Sequence, residues 1–386
     1  MKLLYTNGTT MYLTENGKEI ELPSYRAIQY KQTIEQIQQN KAWKTTGRGA
    51  QFMGVAEVPS QHSTEAAVCG LAPYQDEFLY TLMLDASGGM YRRTFSEKPE
   101  IEGHICSGND TRLGQITSRG DDVAACVRYP DGRSHIALFK LPSSSYSQVT
   151  DGDSCETSPS WSADGRLVYF STAGIARNEG KIVFSPRAAA SYNVNTESME
   201  MVIEDEAHDI LAPKEDAAGN LYFIRQPYRR SDEAEKVSLL GVCKDVLLFP
   251  YRLIKAIFGF LNVFSMFFGN EPLNTSVKQN DVRTKQKSDK ELFFEGRMLD
   301  VEKNLKENQK SGDQFAGIMS RNRVLVRRAP DGTEEVLAKA VLDYALCEDG
   351  SVVYSNGAHI LHRSADGKVE DLVKTRMARE IVVVGS

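Results

Sequence analysis

Carboxylates crowd together at two points of the chain: Asp151, Asp153 and Glu156, then Glu204, Asp205, Glu206, His208 and Asp209. Ca²⁺ needs several oxygen ligands that converge on one spot. Asp151, Asp153, Asp205 and Asp209 are the candidates for such a site, and a solvated acidic rim accounts for the same residues without an ion. Other chemistry lacks its residues. There is no G-x-S-x-G turn for an esterase nucleophile, no H-E-x-x-H zinc pair and no G-x-x-x-x-G-K-S/T phosphate cradle. His359 and His362 stand three apart in a β-like stretch, so they face opposite ways and do not share a metal. The six Cys, at 69, 106, 126, 155, 243 and 347, are never closer than 20 residues, which excludes CxxC and zinc-knuckle spacing. The reading is therefore of a non-enzyme with no catalytic residue, no resident metal and no cofactor.

A second group of residues points to contact rather than catalysis. Val237 to Phe268 reads VSLLGVCKDVLLFPYRLIKAIFGFLNVFSMFF. On a helical wheel Lys244, Lys255 and Asn262 fall within about 20° of one another, and the remaining arc is mostly Leu, Ile, Val, Phe and Met. Pro250 suits the first turn of a second helix. The uncharged run Ala256 to Gly269 is shorter than the roughly 20 residues that span a bilayer. Leu247, Leu248, Phe249, Arg252, Lys255, Phe258, Phe260, Phe264, Phe267 and Phe268 are the candidate partner-binding or membrane-binding residues. Three fates fit: lying in a membrane interface with Arg252 and Lys255 at the headgroups, docking into a protein partner or a second copy, or folding back as a private core. From Ser288 to Lys310 the sequence predicts a charged helix capped by Ser288.

These residues sit inside an otherwise ordinary chain. It has 386 residues, 41% hydrophobic and 25% charged, with a net charge of -6. That composition excludes a disordered chain, a fibrous repeat and a polytopic membrane protein. The segment 229–312 carries 15 Lys and Arg against 12 Asp and Glu, so the remainder is near -9. An acidic body makes nucleic acid an unfavourable partner. The apolar run after Met1-Lys2 stops within three residues, short of a signal peptide. The expected location is the cytoplasm, free or attached to a membrane.

The elements that position all this come from a repeat. Ser158-Pro159-Ser160-Trp161-Ser162-Ala163-Asp164-Gly165-Arg166-Leu167-Val168-Tyr169-Phe170-Ser171 reads as strand, Asp-Gly turn, strand. A shift of 54 residues carries Pro159 to Pro213, Gly165 to Gly219 and Leu167–Phe170 to Leu221–Ile224. Related units stand at 121–148, 323–337, 348–372 and 3–22. Units of about 50 residues with four short strands predict an all-β propeller. The count is six, with boundaries near 49–97, 103–150, 154–204, 208–227 resumed at 314–339, 340–374, and a last blade built from 379–385 and 2–22. That last blade closes the ring with both ends of the chain. A seventh blade is open only if residues 25–47 hide strands, and they read instead as a short helix capped by Ser24. The propeller is then 1–228 with 312–386, and 229–311 is a helical, partly hydrophobic insertion in blade four.

The phrase SPSWSADGRLVYFS, following Thr150-Asp151-Gly152-Asp153, resembles the WD40-like repeat of TolB-type six-bladed propellers: a Pro, a Trp-Ser pair, an Asp-Gly turn and an apolar strand. The full motif appears once, and Glu215 and Leu346 stand where Trp161 does. The resemblance covers the body and not 229–312. It implies a protein-binding module, with a protein scaffold docked through the insertion as the expected function. Related blades also occur in hydrolases, so the alternative is a metal-dependent hydrolase or lactonase with its site at the channel mouth.

Overall fold

The computed structural model describes residues 1–15, 17–45, 66–84, 87–96, 102–108, 112–178, 181–229, 291–294, 297–375 and 377–385. The candidate contact residues at 247–268 lie outside them. The chain divides into two compact units, Met1–Arg230 with Glu302–Ser386, and Ser231–Val301.

In chain order the first unit opens with β1 (Lys2–Thr6), β2 (Met11–Glu15), β3 (Lys18–Leu22) and helix α1 (Tyr25–Thr45). A meander follows: β4 (Ala67–Tyr74), β5 (Glu77–Met83), β6 (Gly88–Thr94) and β7 (Glu102–Gly108). The second is β8 (Arg112–Arg119), β9 (Asp122–Arg128), β10 (Ser134–Lys140) and β11 (Tyr146–Gln148). The third is β12 (Ser154–Trp161), β13 (Leu167–Asn178), β15 (Ala188–Asn193) and β16 (Ser198–Ile203), with β14 (Lys181–Phe184) doubling the far end of β13. A single parallel bridge, Ser134 to Cys155, links the second and third. The fourth begins with β17 (His208–Glu215) and β18 (Leu221–Pro227).

In the second unit β19 (Glu291–Phe294) and β20 (Arg297–Asp300) form an antiparallel hairpin; α2 (Val301–Lys310), from Glu302 on, belongs to the first unit. The charged helix predicted from Ser288 is thus replaced by a hairpin up to Asp300. Leu292, Phe293 and Phe294 are β-formers, and their sheet preference outweighs the polar periodicity around them. The fourth meander then resumes with β21 (Val324–Arg328) and β22 (Glu334–Lys339). The fifth is β23 (Asp343–Leu346), β24 (Val352–Ser355), β25 (His359–Arg363) and β26 (Val369–Lys374). Finally β27 (Glu380–Gly385) pairs antiparallel with β1, so a sixth meander, β27-β1-β2-β3, joins the two ends of the chain in one sheet.

The phase of the repeat follows the chemistry of its residues. Trp161, Glu215 and Leu346 each end the innermost strand of their meander. Ser158 and Ala212, both with positive φ, precede Pro159 and Pro213 at a break in strand register. A proline donates nothing to the ladder, so a bulge is where an inner strand can hold one. Gly165 takes φ +74° after Asp164, as a tight turn requires. The first meander differs from its expected limits: its outer strand is β7, assigned by sequence to the next unit. No Asp-Gly turn marks that boundary.

Among the described residues the apolar core falls into six clusters, each shared by two consecutive meanders. Leu79 and Met90 of the first pack with Val123 and Phe139 of the second. Phe170 and Ala190 of the third meet Ile136 of the second. Phe223 of the fourth meets Tyr169, and Tyr344 of the fifth meets Leu325. Leu3 and Ile381 of the sixth meet Val353, and Leu4 and Leu13 meet Phe78 of the first. The circle of clusters has no open end.

Helix α1 is held to the first meander by its N-terminus. Ser24 Oγ accepts from Ala27 N–H at 3.1 Å, the cap its type predicts. The Glu102 carboxylate accepts from Tyr25 and Arg26 N–H at 2.8 and 3.1 Å, where a helix dipole favours negative charge. Buried Arg93 lies 3.7 Å from Glu102 and donates to Ser96 O at 2.9 Å. Ser24 also meets Tyr80 Oη at 2.9 Å. Residues 25–45 are therefore a helix, 21 residues long, and not a seventh set of strands.

Candidate functional site

The polar groups that could do chemistry line the innermost strands β4, β8, β12, β17, β23 and β27. Four of these strands carry a carboxylate within their first three residues: Glu156, Asp209, Asp343 and Glu380. Each accepts from a neighbouring meander or from the link that leads into its own. Leu71 N–H donates to Glu380 Oε1 at 3.0 Å, and Ile381 N–H donates to Asp343 Oδ2 at 2.8 Å. Arg187 N–H and Gln226 Nε2 take the two oxygens of Asp209, at 3.1 and 3.2 Å. Glu156 is buried; His135 Nδ1 at 2.9 Å and Thr172 Oγ1 at 3.0 Å bond its two oxygens.

Backbone and hydroxyl bonds complete the same girdle. Thr81 Oγ1 donates to Gly114 O at 2.7 Å, Ser134 Oγ to Glu156 O at 2.6 Å, and Ala212 N–H to Ser171 Oγ at 3.0 Å. Tyr344 Oη, fully buried, lies 2.6 Å from Ala212 O and 2.8 Å from Tyr222 O. Arg323, also buried, bonds Val341 O, Gln226 Oε1 and Leu342 O at 2.7, 2.9 and 3.0 Å. Buried polar groups are stable when each has a partner, and these have.

Charge concentrates at Lys214, Asp343 and Glu380. Lys214 Nζ donates to Tyr344 O and lies 4.6 Å from the centre of the Tyr344 ring. Burial pushes the Glu380 carboxyl up to about 8, against the Leu71 N–H and the charges of Lys214 and Arg128; Asp343 adds to the rise. Burial likewise raises Asp343, while Lys214 and the Ile381 N–H pull it down. Burial raises the thiols of Cys69 and Cys126, which keeps them neutral and poor nucleophiles.

The four predicted metal candidates stay apart in role. Asp151 and Asp153 are exposed. Asp205 pairs with His208 at 2.8 Å; partial burial raises its carboxyl, but the Ala207 N–H and His208 outweigh it and hold it below the usual range. Asp209 is committed to the girdle. Among the described residues no three His, Cys, Asp or Glu side chains converge on a metal position. His359 and His362 bond Asp371 and Ser351, each at 2.9 Å. Trp161 packs against the cluster shared by the second and third meanders. No helix of the described residues is long and apolar enough to cross a membrane. A cleft of about 410 Å³ opens on the fourth meander between His208, Arg225, Arg321 and Lys339. Arg225 and Arg321 there already pair with Glu334 and Asp313.

Sequence reasoning missed Asp343, Glu380 and Lys214. A carboxylate at the head of successive inner strands is the signal that finds two of them once the repeat is in phase.

No family model matches the chain, and no curated protein matches it. Among solved structures it is similar to TolB from Acinetobacter baumannii, with 10% identity and a TM-score of 0.46 over 95% of this chain and 62% of that one. This chain thus spans less than two thirds of that protein. It is also similar to a TolB described as putative from Agrobacterium tumefaciens, with 13% identity and a TM-score of 0.42 over 80% of this chain and 81% of that one. A third likeness is to an oligogalacturonate lyase in complex with manganese, with 10% identity and a TM-score of 0.36 over 94% and 72%. At these identities no residue's role carries over, and the fold rests on the six meanders and their shared clusters.

Proposed function

We propose that the chain is a closed six-bladed propeller, a non-enzymatic scaffold that binds a protein partner. Residues 229–311 dock it to a membrane surface or an assembly. One observation carries this reading. β18 and β21 pair in register from Leu221↔Arg328 to Arg225↔Val324, although residues 228–323 lie between them. Residues 302–323 belong to the first unit and pack on it, Arg323 through Gln226, but the sheet pairs in register without 231–301, so 231–301 answers to something outside that sheet. Its sequence supplies the contact, through Leu247, Leu248, Phe249, Arg252, Lys255, Phe258, Phe260, Phe264, Phe267 and Phe268. An apolar run of this length, rich in Phe, is a feature that sequences keep for binding. A cytoplasmic location is part of the proposal. The girdle supports a structural role for the inner carboxylates, since the backbone and neighbouring side chains already use them.

The test replaces 231–301 by a flexible linker. The variant keeps its β-sheet circular dichroism and melting temperature and loses self-association or partner binding, seen as a smaller size in solution. An unfolded variant contradicts the reading.

The second reading is a metal-dependent hydrolase or lactonase at the channel mouth. It is favoured by one observation, two carboxyl groups with raised proton affinity beside Lys214. It requires bound metal by elemental analysis and ester or lactone turnover that Asp343→Asn and Glu380→Gln abolish.

A further inference from the structure

The outer strand of the third meander exposes two methionines along its length. β16 pairs with β15 on one side, Tyr192↔Met199, Ser191↔Glu200 and Ala190↔Met201, and among the described residues it ends the sheet on the other. Residues 198–202 are all exposed, Met199 at 56% and Met201 at 45%. A free strand edge is a template for another strand unless charge or shape blocks it. On two other outer strands charge does so: β3 exposes Lys18, Glu19 and Glu21, and β26 exposes Glu370, Asp371 and Lys374, whereas β7 and the short β11 expose no charged residue. In β16 the sole charged residue is Glu200.

The two methionines extend an apolar face. Trp161 stands opposite Val168, Val168 opposite Tyr192, and Tyr192 opposite Met199. Cross-strand partners share one face of a sheet, so this row crosses all four strands and emerges at the edge. The surrounding charge has one sign. No Lys or Arg occurs between Arg187 and Lys214, while Glu197, Glu200, Glu204, Asp205 and Glu206 do.

We propose that the free edge of β16 binds an extended segment of a protein partner that alternates apolar and basic residues. Its backbone adds a fifth strand, its apolar side chains cover Met199 and Met201, and its Lys or Arg side chains meet Glu200. A second copy of β16 is the wrong occupant, because edge-to-edge pairing sets the acidic stretches against each other. The proposal rests on the protein-binding reading and names a surface and a partner chemistry for it.

Fluorescence anisotropy of the full chain tests it, with a labelled seven-residue peptide of alternating Lys and Val and its Glu-Val counterpart as probes. The Lys-Val peptide binds and the Glu-Val peptide does not. The exposed-site variants Glu200→Lys and Met199→Ser/Met201→Ser each weaken binding by about tenfold with unchanged circular dichroism, and Glu200→Lys admits the Glu-Val peptide. Lys-Val binding that ignores all three substitutions overturns the site, as does no binding at millimolar peptide. A dimer that Met199→Ser/Met201→Ser dissolves overturns the choice of partner. Absent peptide binding alongside insertion-dependent assembly sinks this site and leaves the scaffold reading standing.

Discussion

Glu380 gives the sharpest physical prediction. Its carboxyl stands at the head of β27, fixed by the Leu71 N–H at 3.0 Å, and burial lifts it from the usual 4.5 to about 8. In the unfolded chain it ionises near pH 4.5, while the folded chain holds the proton until about pH 8. Between those values the unfolded state binds fewer protons, so stability falls as pH rises; below and above them this group contributes no slope. Each unit is worth about 1.4 kcal/mol, and the whole window sets a ceiling of about 5 kcal/mol. Water reaches part of the group, which reduces the expected loss to about 2 kcal/mol. Glu380→Gln keeps an oxygen for Leu71 and does not titrate. Urea unfolding of both proteins at pH 5, 6, 7 and 8 reports on this group together with the coupled Asp343 and Lys214, because the titrations of remote groups cancel in the difference. The variant gains on the wild type steadily up to pH 8, by about 2 kcal/mol in total. Parallel profiles refute the reasoning, and so does a wild type that gains on the variant as pH rises.

Other substitutions probe the girdle and the helix dock. Glu156→Ala leaves the buried His135 Nδ1 and the half-buried Thr172 Oγ1 without their hydrogen-bond partner and costs about 1–3 kcal/mol by chemical unfolding. Gly70→Ala places a Cβ 2.6 Å from Gly114 O and 2.8 Å from Ile116 N, forcing β4 from β8, and lowers stability by about 1–3 kcal/mol. Tyr344→Phe leaves the carbonyls of Ala212 and Tyr222 short of a donor and costs about 1–3 kcal/mol. Ser24→Ala removes the cap of α1 for about 1 kcal/mol, read as faster amide exchange in α1 with little change in the sheets.

What the sequence revealed follows from how local each signal is. The tight Asp-Gly turns and the Leu-Val-Tyr-Phe strand are set by neighbours in the chain, so the phase of the inner strands was readable. Trp161, Glu215 and Leu346 occupy equivalent ends, and the Ser24 cap begins a helix. β7 was assigned to the wrong unit because its boundary carries no turn residue. The hairpin β19–β20 was hidden under charged residues spaced as in a helix. The girdle was harder still. Glu380 acquires its meaning from Leu71, 309 residues away in sequence, and Asp343 from Ile381. Neither carboxylate stands in an acidic run, whereas Asp151 and Asp153 do and reach only solvent. Charge density along the chain marked the rim, and burial selected the interior.

The central claim is that a self-sufficient ring carries its attachment in the segment between β18 and β21. Cell fractionation of the intact chain beside the variant with 231–301 replaced by a linker tests it most directly. The account predicts the intact chain in the membrane pellet or in a heavy assembly, and the variant folded and free in the soluble fraction. Identical distribution of the two proteins contradicts it.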